Sequence, residues 1–281
     1  MSRVLPILFN TEMVQANLDD RKTATRRLIK PRYQGNECNF LVMTNKATGE
    51  RRIDTVDADG YVCRTGIKPP YQPGDILYVR ETWAFISCIE CNRNYLPKGK
   101  PLNCYDTQAI EYDDGDSISD GCFFYRADYP HPERITWRPS IHMPKAAARI
   151  WLRVTDVRVE QLQEITEEQA TREGITRLYD DLSDAEYIDW TKRTGIYPKA
   201  KAEWGYKNYL WHGNFGAHGA GNKLSDTWEY QYSSYDSAIG SFSSLWNLTV
   251  PLKDWNVYGW NANPWVWTIE FERCEKPENE E

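Results

Sequence analysis

The pattern of this 281-residue chain predicts an α+β fold: a small mixed β-barrel with a few short helices and large loop insertions. Three observations predict it. Short apolar strands are scattered from one end of the chain to the other. Two or three short helix signals fall between them. Long polar, turn-rich stretches separate these segments and show little periodicity. One domain is expected over residues 1–281, with insertions at about 33–70, 88–122 and 178–235 and a disordered acidic tail at 276–281.

Residues 3–9 read as a strand with an early proline, which is tolerated at a sheet edge. Asn10 or Thr11 can cap a short helix with Val14 and Leu18 one turn apart on its buried face. Asp19-Asp20 ends that helix, and Lys22–Ile29 continues as an extended segment that Pro31 closes. The polar stretch 33–70 is expected to be a hairpin excursion turning at Asp59-Gly60. Pro73-Gly74-Asp75 is a turn signal before the apolar strand Ile76–Arg80 and the charged Glu81. Arg149–Val159 alternates, with Ile150, Leu152 and Val154 on one face. Thr166-Glu167-Glu168-Gln169 forms a capping box that opens a short helix, and Gly174 stops it. A further helix is expected from Asp236 to about Trp246, burying Ala238, Phe242, Leu245 and Trp246. Pro264–Phe271 makes a last strand with Trp265, Trp267, Ile269 and Phe271 on one face.

Hydrophobic residues make up 41% and charged residues 27%, enough for a sizeable core. No apolar run reaches the roughly 18 residues that span a bilayer, and Met1–Asn10 lacks a small-residue cleavage site. A cytoplasmic protein with no membrane partner is therefore expected. The net charge of −7 argues against indiscriminate duplex binding. Even so, Arg21, Lys22, Arg26, Arg27, Lys30 and Arg32 form a basic segment on an acidic body, suited to a short anionic ligand or to a solvated face. Seven cysteines, an odd number, make a disulfide framework improbable. Cys88, Cys91, Cys104 and Cys122 could hold a structural zinc, although only the first pair has knuckle spacing; the alternative is loop thiols. No cofactor is otherwise required. Twelve Trp and eighteen Tyr serve either as core or as stacking platforms for bases.

Four motifs resemble the ASCH family. They are Asp20-Arg21-Lys22-Thr23-Ala24-Thr25-Arg26-Arg27, the segment from Gly74-Asp75 to Thr82-Trp83, Arg138–Pro144, and Leu245-Trp246 with Asn263-Pro264-Trp265-Val266-Trp267. The last two are similar to the long ASCH proteins of bacteriophages and prophages, which would make the location a host cytoplasm. The resemblance implies a PUA-like barrel with a cleft beside the first helix, and an association with RNA. One small bacterial branch hydrolyses the amide of N4-acetylcytidine with a lysine, a threonine three positions later and a glutamate in a later helix. Lys22 and Thr25 match the first two, and Leu162-x-x-Ile165-Thr166-Glu167-x-x-Ala170-x-x-Glu173 resembles the segment carrying the third. Asp20 stands where the family prefers glycine, and this chain is much longer than that branch.

On that resemblance Thr25 would be the nucleophile, Lys22 the base and Glu173 its positioner. A lysine base must lose roughly three pKa units to be neutral near pH 7. Burial beside Arg26 or Arg27 favours that change, whereas pairing with Glu173 opposes it. The alternative is an ordinary Lys22–Glu173 ion pair. If Lys22 is no more than partly buried, Lys22→Ala should barely change stability. Arg26, Arg27, Glu81, Trp83, Arg138, Ser140 and His142 are the candidate substrate-binding residues, with Trp83 either stacking a base at a rim or filling core. Amide hydrolysis on an N-acylated cytidine-type nucleoside is the leading expectation. A non-catalytic module for short RNA and a ribonuclease are the alternatives. The 178–235 insertion is expected to act as a lid.

Overall fold

The computed structural model describes residues 2–87, 108–110, 119–128, 135–175, 206–207, 234–235 and 237–277. The first half contains β1 (Val4–Leu8), α1 (Thr11–Leu18), β2 (Ala24–Leu28), β3 (Asn39–Thr44), β4 (Arg51–Val56), β5 (Val62–Arg64), β6 (Ile76–Arg80), β7 (Trp83–Ser87), β8 (Gln108–Ile110) and β9 (Ser119–Tyr125). The second half contains β10 (Trp151–Gln161), α2 (Glu167–Arg172), β11 (Tyr206–Lys207), β12 (Ser234–Tyr235), α3 (Ala238–Thr249), α4 (Trp255–Tyr258) and β13 (Trp265–Cys274). The fold is mixed α+β, mostly strands in open sheets with a few short helices. No sheet closes into a barrel among the described residues, and none of their helices is long and apolar enough to cross a membrane. The chain divides into two compact units, Met1–Asp19, Gly74–Arg153 and Glu272–Glu281 in one, Asp20–Pro73 and Val154–Phe271 in the other. The lid expected at 178–235 falls almost wholly outside the described residues, as do Cys88, Cys91, Cys104 and the end of the acidic tail.

In the first unit β1 runs parallel to β6, with Val4 opposite Ile76 and Leu8 opposite Arg80. Pro6 is tolerated because β1 is an edge strand, where a missing N–H costs no ladder bond. Gly74, at φ +90°, makes the turn into β6, and Asp75 beside it is ion-paired with Arg3. The Asn10 side chain accepts the Met13 N–H and starts α1, which buries Met13, Val14, Ala16 and Asn17. β6 pairs antiparallel with the start of β10, Tyr78 opposite Trp151, and Ile76, Tyr78 and Trp151 pack as one cluster. β7, β9 and β8 form a separate antiparallel sheet.

In the second unit β2 pairs antiparallel with β13, from Ala24 opposite Glu270 to Leu28 opposite Val266. The 33–70 stretch is a three-stranded meander, β3-β4-β5. Its β4–β5 turn lies at Asp59-Gly60, with Gly60 at φ +86°. An earlier turn joins β3 to β4, where the Asn45 side chain accepts the Ala47 N–H. The Thr166 capping box opens α2 and Gly174, at φ +89°, ends it. The Ser237 side chain caps α3, which buries Ala238, Phe242, Leu245 and Trp246 and runs on to Thr249.

Candidate functional site

The site is built on β2 and the turn that leads into it. Asp19 closes α1 and Asp20 takes φ +57°, the left-handed conformation that glycine adopts most easily and that Asp tolerates. Asp20→Gly should therefore leave thermal stability unchanged or raise it slightly, while Asp20→Ala should lower it by about 1 kcal/mol. A melting comparison of the two variants checks this.

After the turn, Lys22 forms an isolated bridge with Glu173. The Thr23 N–H donates to Arg172 O and the Phe271 N–H to Thr23 O, both at 2.9 Å. The end of α2 is thereby fixed against the start of β2. Strand alternation then gives β2 two faces, Ala24 and Arg26 on one and Thr25 and Arg27 on the other.

The first face is a closed charge network. Lys22 Nζ donates to Glu173 Oε2 at 3.1 Å and to the carbonyls of Ala24 and Glu173 at 2.8 Å. Arg26 Nη1 reaches Glu173 Oε1 at 3.1 Å, and Nη2 reaches Glu160 Oε2 at 3.0 Å and Gln169 Oε1 at 3.1 Å. Its guanidinium also lies 5.9 Å from the centre of the Phe242 ring. Thr268, opposite Arg26 on β13, donates to Glu160 at 2.8 Å. Arg158 joins Asp156, Glu160 and Glu270, and Arg172 reaches Glu270 at 2.7 Å. Lys22, Arg26, Arg158 and Arg172 are thus matched by Glu173, Glu160, Glu270 and Asp156. The network neutralises itself and has little charge left with which to attract a ligand.

Lys22 and Glu173 are 4% and 3% exposed, so the pair is core and not rim. The near-silent Lys22→Ala expected for a partly exposed lysine is corrected by this burial. Desolvation pushes the Lys22 pKa below the ordinary lysine value, while the charge and hydrogen bond of Glu173 work against that shift. A lysine nitrogen that donates three hydrogen bonds is an ammonium and has no lone pair with which to act as a base. Thr25 is buried opposite Ile269, and alternation turns it to the other face from Arg26. The structure brings Lys22, Arg26 and Glu173 together and leaves Thr25 out of their hydrogen bonds.

The end of β2 and the residues that follow it border a cavity of about 590 Å³, within the usual range for ligand sites. Arg27, Lys30, Arg32, Arg64, Lys68 and Trp267 line it, together with apolar residues, and its lining contains no carboxylate. Arg27 and Trp267, the latter 8% exposed, are direct cross-strand partners, so their side chains leave the sheet on one face with Cβ atoms about 5 Å apart. Burial pushes the Arg27 pKa below its ordinary value, opposed by Tyr71 and Glu173, yet a guanidinium stays charged at any working pH. Arg64 is paired with Glu37 at 3.0 Å, which offsets its charge. Its Nε is buried without a hydrogen-bond partner among the described residues. Lys30 Nζ lies 4.6 Å from the centre of the Tyr258 ring.

The remaining candidates belong to the first unit. Glu81 is 1% exposed and held by both forks of Arg149, at 2.8 and 3.0 Å. Arg149 also grips Asp128 and lies 4.1 Å from the centre of the Tyr125 ring. Of the two readings open for Trp83, core is the one observed: at 3% exposure it packs with Met143 and Ala147, and the Arg138 guanidinium lies 5.2 Å from its ring centre. Ser140 and His142 lie in a single 3-10 turn, and His142 is exposed. Cys122 is half-buried in β9. Among the described residues no group of three or more His, Cys, Asp or Glu could hold a metal ion.

Sequence reasoning missed Arg149, Arg158, Glu160, Arg172 and Glu270 on the charged side, and Arg64, Lys68 and Trp267 around the cavity. A signal for part of the network was present in Asp156-x-Arg158-x-Glu160, charges at every second strand position. For the cavity lining there was no local signal. Comparison of the chain with protein-family models, with curated proteins and with solved structures finds no match.

Proposed function

We propose that this chain is an ASCH-type protein, with a PUA-like core, that binds short RNA in the cytoplasm through the cavity beside Arg27 and Trp267. The observation that carries the reading is the cavity's make-up: five basic residues and an indole, with no carboxylate, in a chain of net charge −7. Cations that track phosphates beside an aromatic face are the usual means of holding a single strand. The family side of the reading is supported by the left-handed turn at Asp20 and by the meeting of Lys22 with Glu173.

A second reading, amide hydrolysis of an N-acylated cytidine-type nucleoside, is favoured by the downward push that burial exerts on Lys22. It requires the Lys22–Glu173 pair to open and Thr25 to reach it. Incubation with acylated cytidine nucleosides separates the two: the binding reading expects no acid released.

The direct test is the affinity of a fluorescent single-stranded RNA of about six nucleotides, measured across a salt series. Lys30, Arg32 and Lys68 are exposed, so changing all three to alanine should leave the fold intact. Affinity is expected to fall about tenfold or more, with the salt slope shallower by roughly 0.7 for each phosphate that is no longer neutralised. A triple variant that binds as tightly as the wild type, with the same slope, would remove the cavity from consideration.

A further inference from the structure

We infer that the site takes two consecutive nucleotides of a single strand, the second of them in an adjoining compartment formed by the 33–70 meander. The inference rests on the RNA-binding reading above and extends it. A second cavity, of about 730 Å³, shares Gly66, Ile67, Lys68 and Trp267 with the first, so the two adjoin within the second unit. Trp267 and the 66–68 backbone are common walls of both compartments.

Their electrostatics differ. The first is lined by cations without carboxylates. The second presents Arg51, Arg52 and Arg158 together with Glu50, Glu160 and Glu164. Several of these are already matched: Arg51 with Glu164, Arg158 with Glu160, and Arg52 with Asp54. A compartment balanced in this way offers no attraction to a second phosphate and suits an uncharged base and ribose. The first compartment suits the phosphates. Gly66 is shared by both, at φ +67°, with open space where a Cβ would stand, so the ligand can approach the backbone closely there. Its N–H is held by Asp54 at 2.9 Å and the Ile67 N–H by Ile53 O at 2.7 Å, which ties this shared wall to β4.

The experiment compares a 5′-phosphorylated mononucleotide with a 5′-phosphorylated dinucleotide by calorimetry, on the wild type and on Thr44→Trp. Thr44 is exposed at the end of β3 and lines only the second compartment, so the indole should fill it without touching the core. On the wild type the dinucleotide should bind roughly fivefold or more tightly than the mononucleotide, as one further stacked base contributes. Thr44→Trp should abolish that gain and leave mononucleotide affinity unchanged. Equal affinity of the two ligands on the wild type overturns the inference and leaves the cationic site standing. So does an equal loss for both ligands on Thr44→Trp, because a mononucleotide would then already span both compartments. Binding of neither ligand removes the RNA-binding reading as well.

Discussion

Glu173→Gln is expected to lower the stability of the protein by about 3–5 kcal/mol, the cost of removing one member of a buried ion pair. The glutamine keeps the shape of the side chain but leaves Lys22 and Arg26, 4% and 5% exposed, sharing a site without the carboxylate that joins them. Lys22→Met should cost less, about 1–3 kcal/mol, because Glu173 loses the lysine but retains Arg26, while the carbonyls of Ala24 and Glu173 lose a donor. The double variant should be less damaging than the sum of the two, since the lysine is a liability once the glutamate has gone. Urea unfolding of the three variants measures this, and equal losses for Glu173→Gln and Lys22→Met would show that Arg26 does not share the carboxylate. The pH dependence has a definite sign. Because the folded pKa of Lys22 lies below its ordinary value of 10.5, its contribution to stability is present above that value and is lost as pH falls through the lowered one. Lys22→Met should therefore compare best with the wild type near neutral pH and worst in alkali.

Arg149→Met should be comparably severe at neutral pH, about 3–5 kcal/mol, because it leaves the Glu81 carboxylate buried without its guanidinium. Desolvation already raises the Glu81 pKa above its ordinary 4.5, and the hydrogen bonds and charge of Arg149 hold it down. Removing Arg149 lets it rise further. A group with a raised folded pKa contributes stability below its unfolded value and loses it as pH rises through the folded one. The variant should thus stand closest to the wild type in acid, near pH 4.5, and fall behind as pH increases. Melting profiles from acid to neutral pH test this; a gap that stays constant with pH would mean that the loss comes from packing against Tyr125 and not from the charge.

What could be read from the chain beforehand was mostly local. The Thr166 capping box, the Gly174 stop, the α3 face and the β13 strand all depend on residues within a few positions of one another, where backbone geometry is decided, although β13 buries Val266 and Thr268 as well as Trp267 and Ile269. The ion pairs depend on partners far apart: Glu81 and Arg149 are separated by 68 positions and Arg158 and Glu270 by 112. No window of sequence contains both members. The Lys22–Glu173 pairing, 151 positions apart, was reachable only through a resemblance. The cavity was hidden for the same reason, since Arg27, Lys68 and Trp267 come from three separate stretches. The first half of the meander was missed, because Asn45-Lys46-Ala47-Thr48-Gly49 looks like loop but makes a tight turn between β3 and β4.

The two faces of β2 have a consequence for how this chain can vary. Arg26 and Arg27 are neighbours with opposite duties, one locked into the charge network and the other beside Trp267 on the cavity. A point substitution alters one duty and leaves the other intact. A single-residue insertion or deletion between Thr23 and Leu28 shifts the strand by one place and sends every following side chain to the wrong face. It would drive a charged partner of Glu173 into the cavity and its replacement into the core, so both duties would fail together. The segment therefore behaves as a text with a reading frame: a misspelling spoils one duty, and a change in length spoils both.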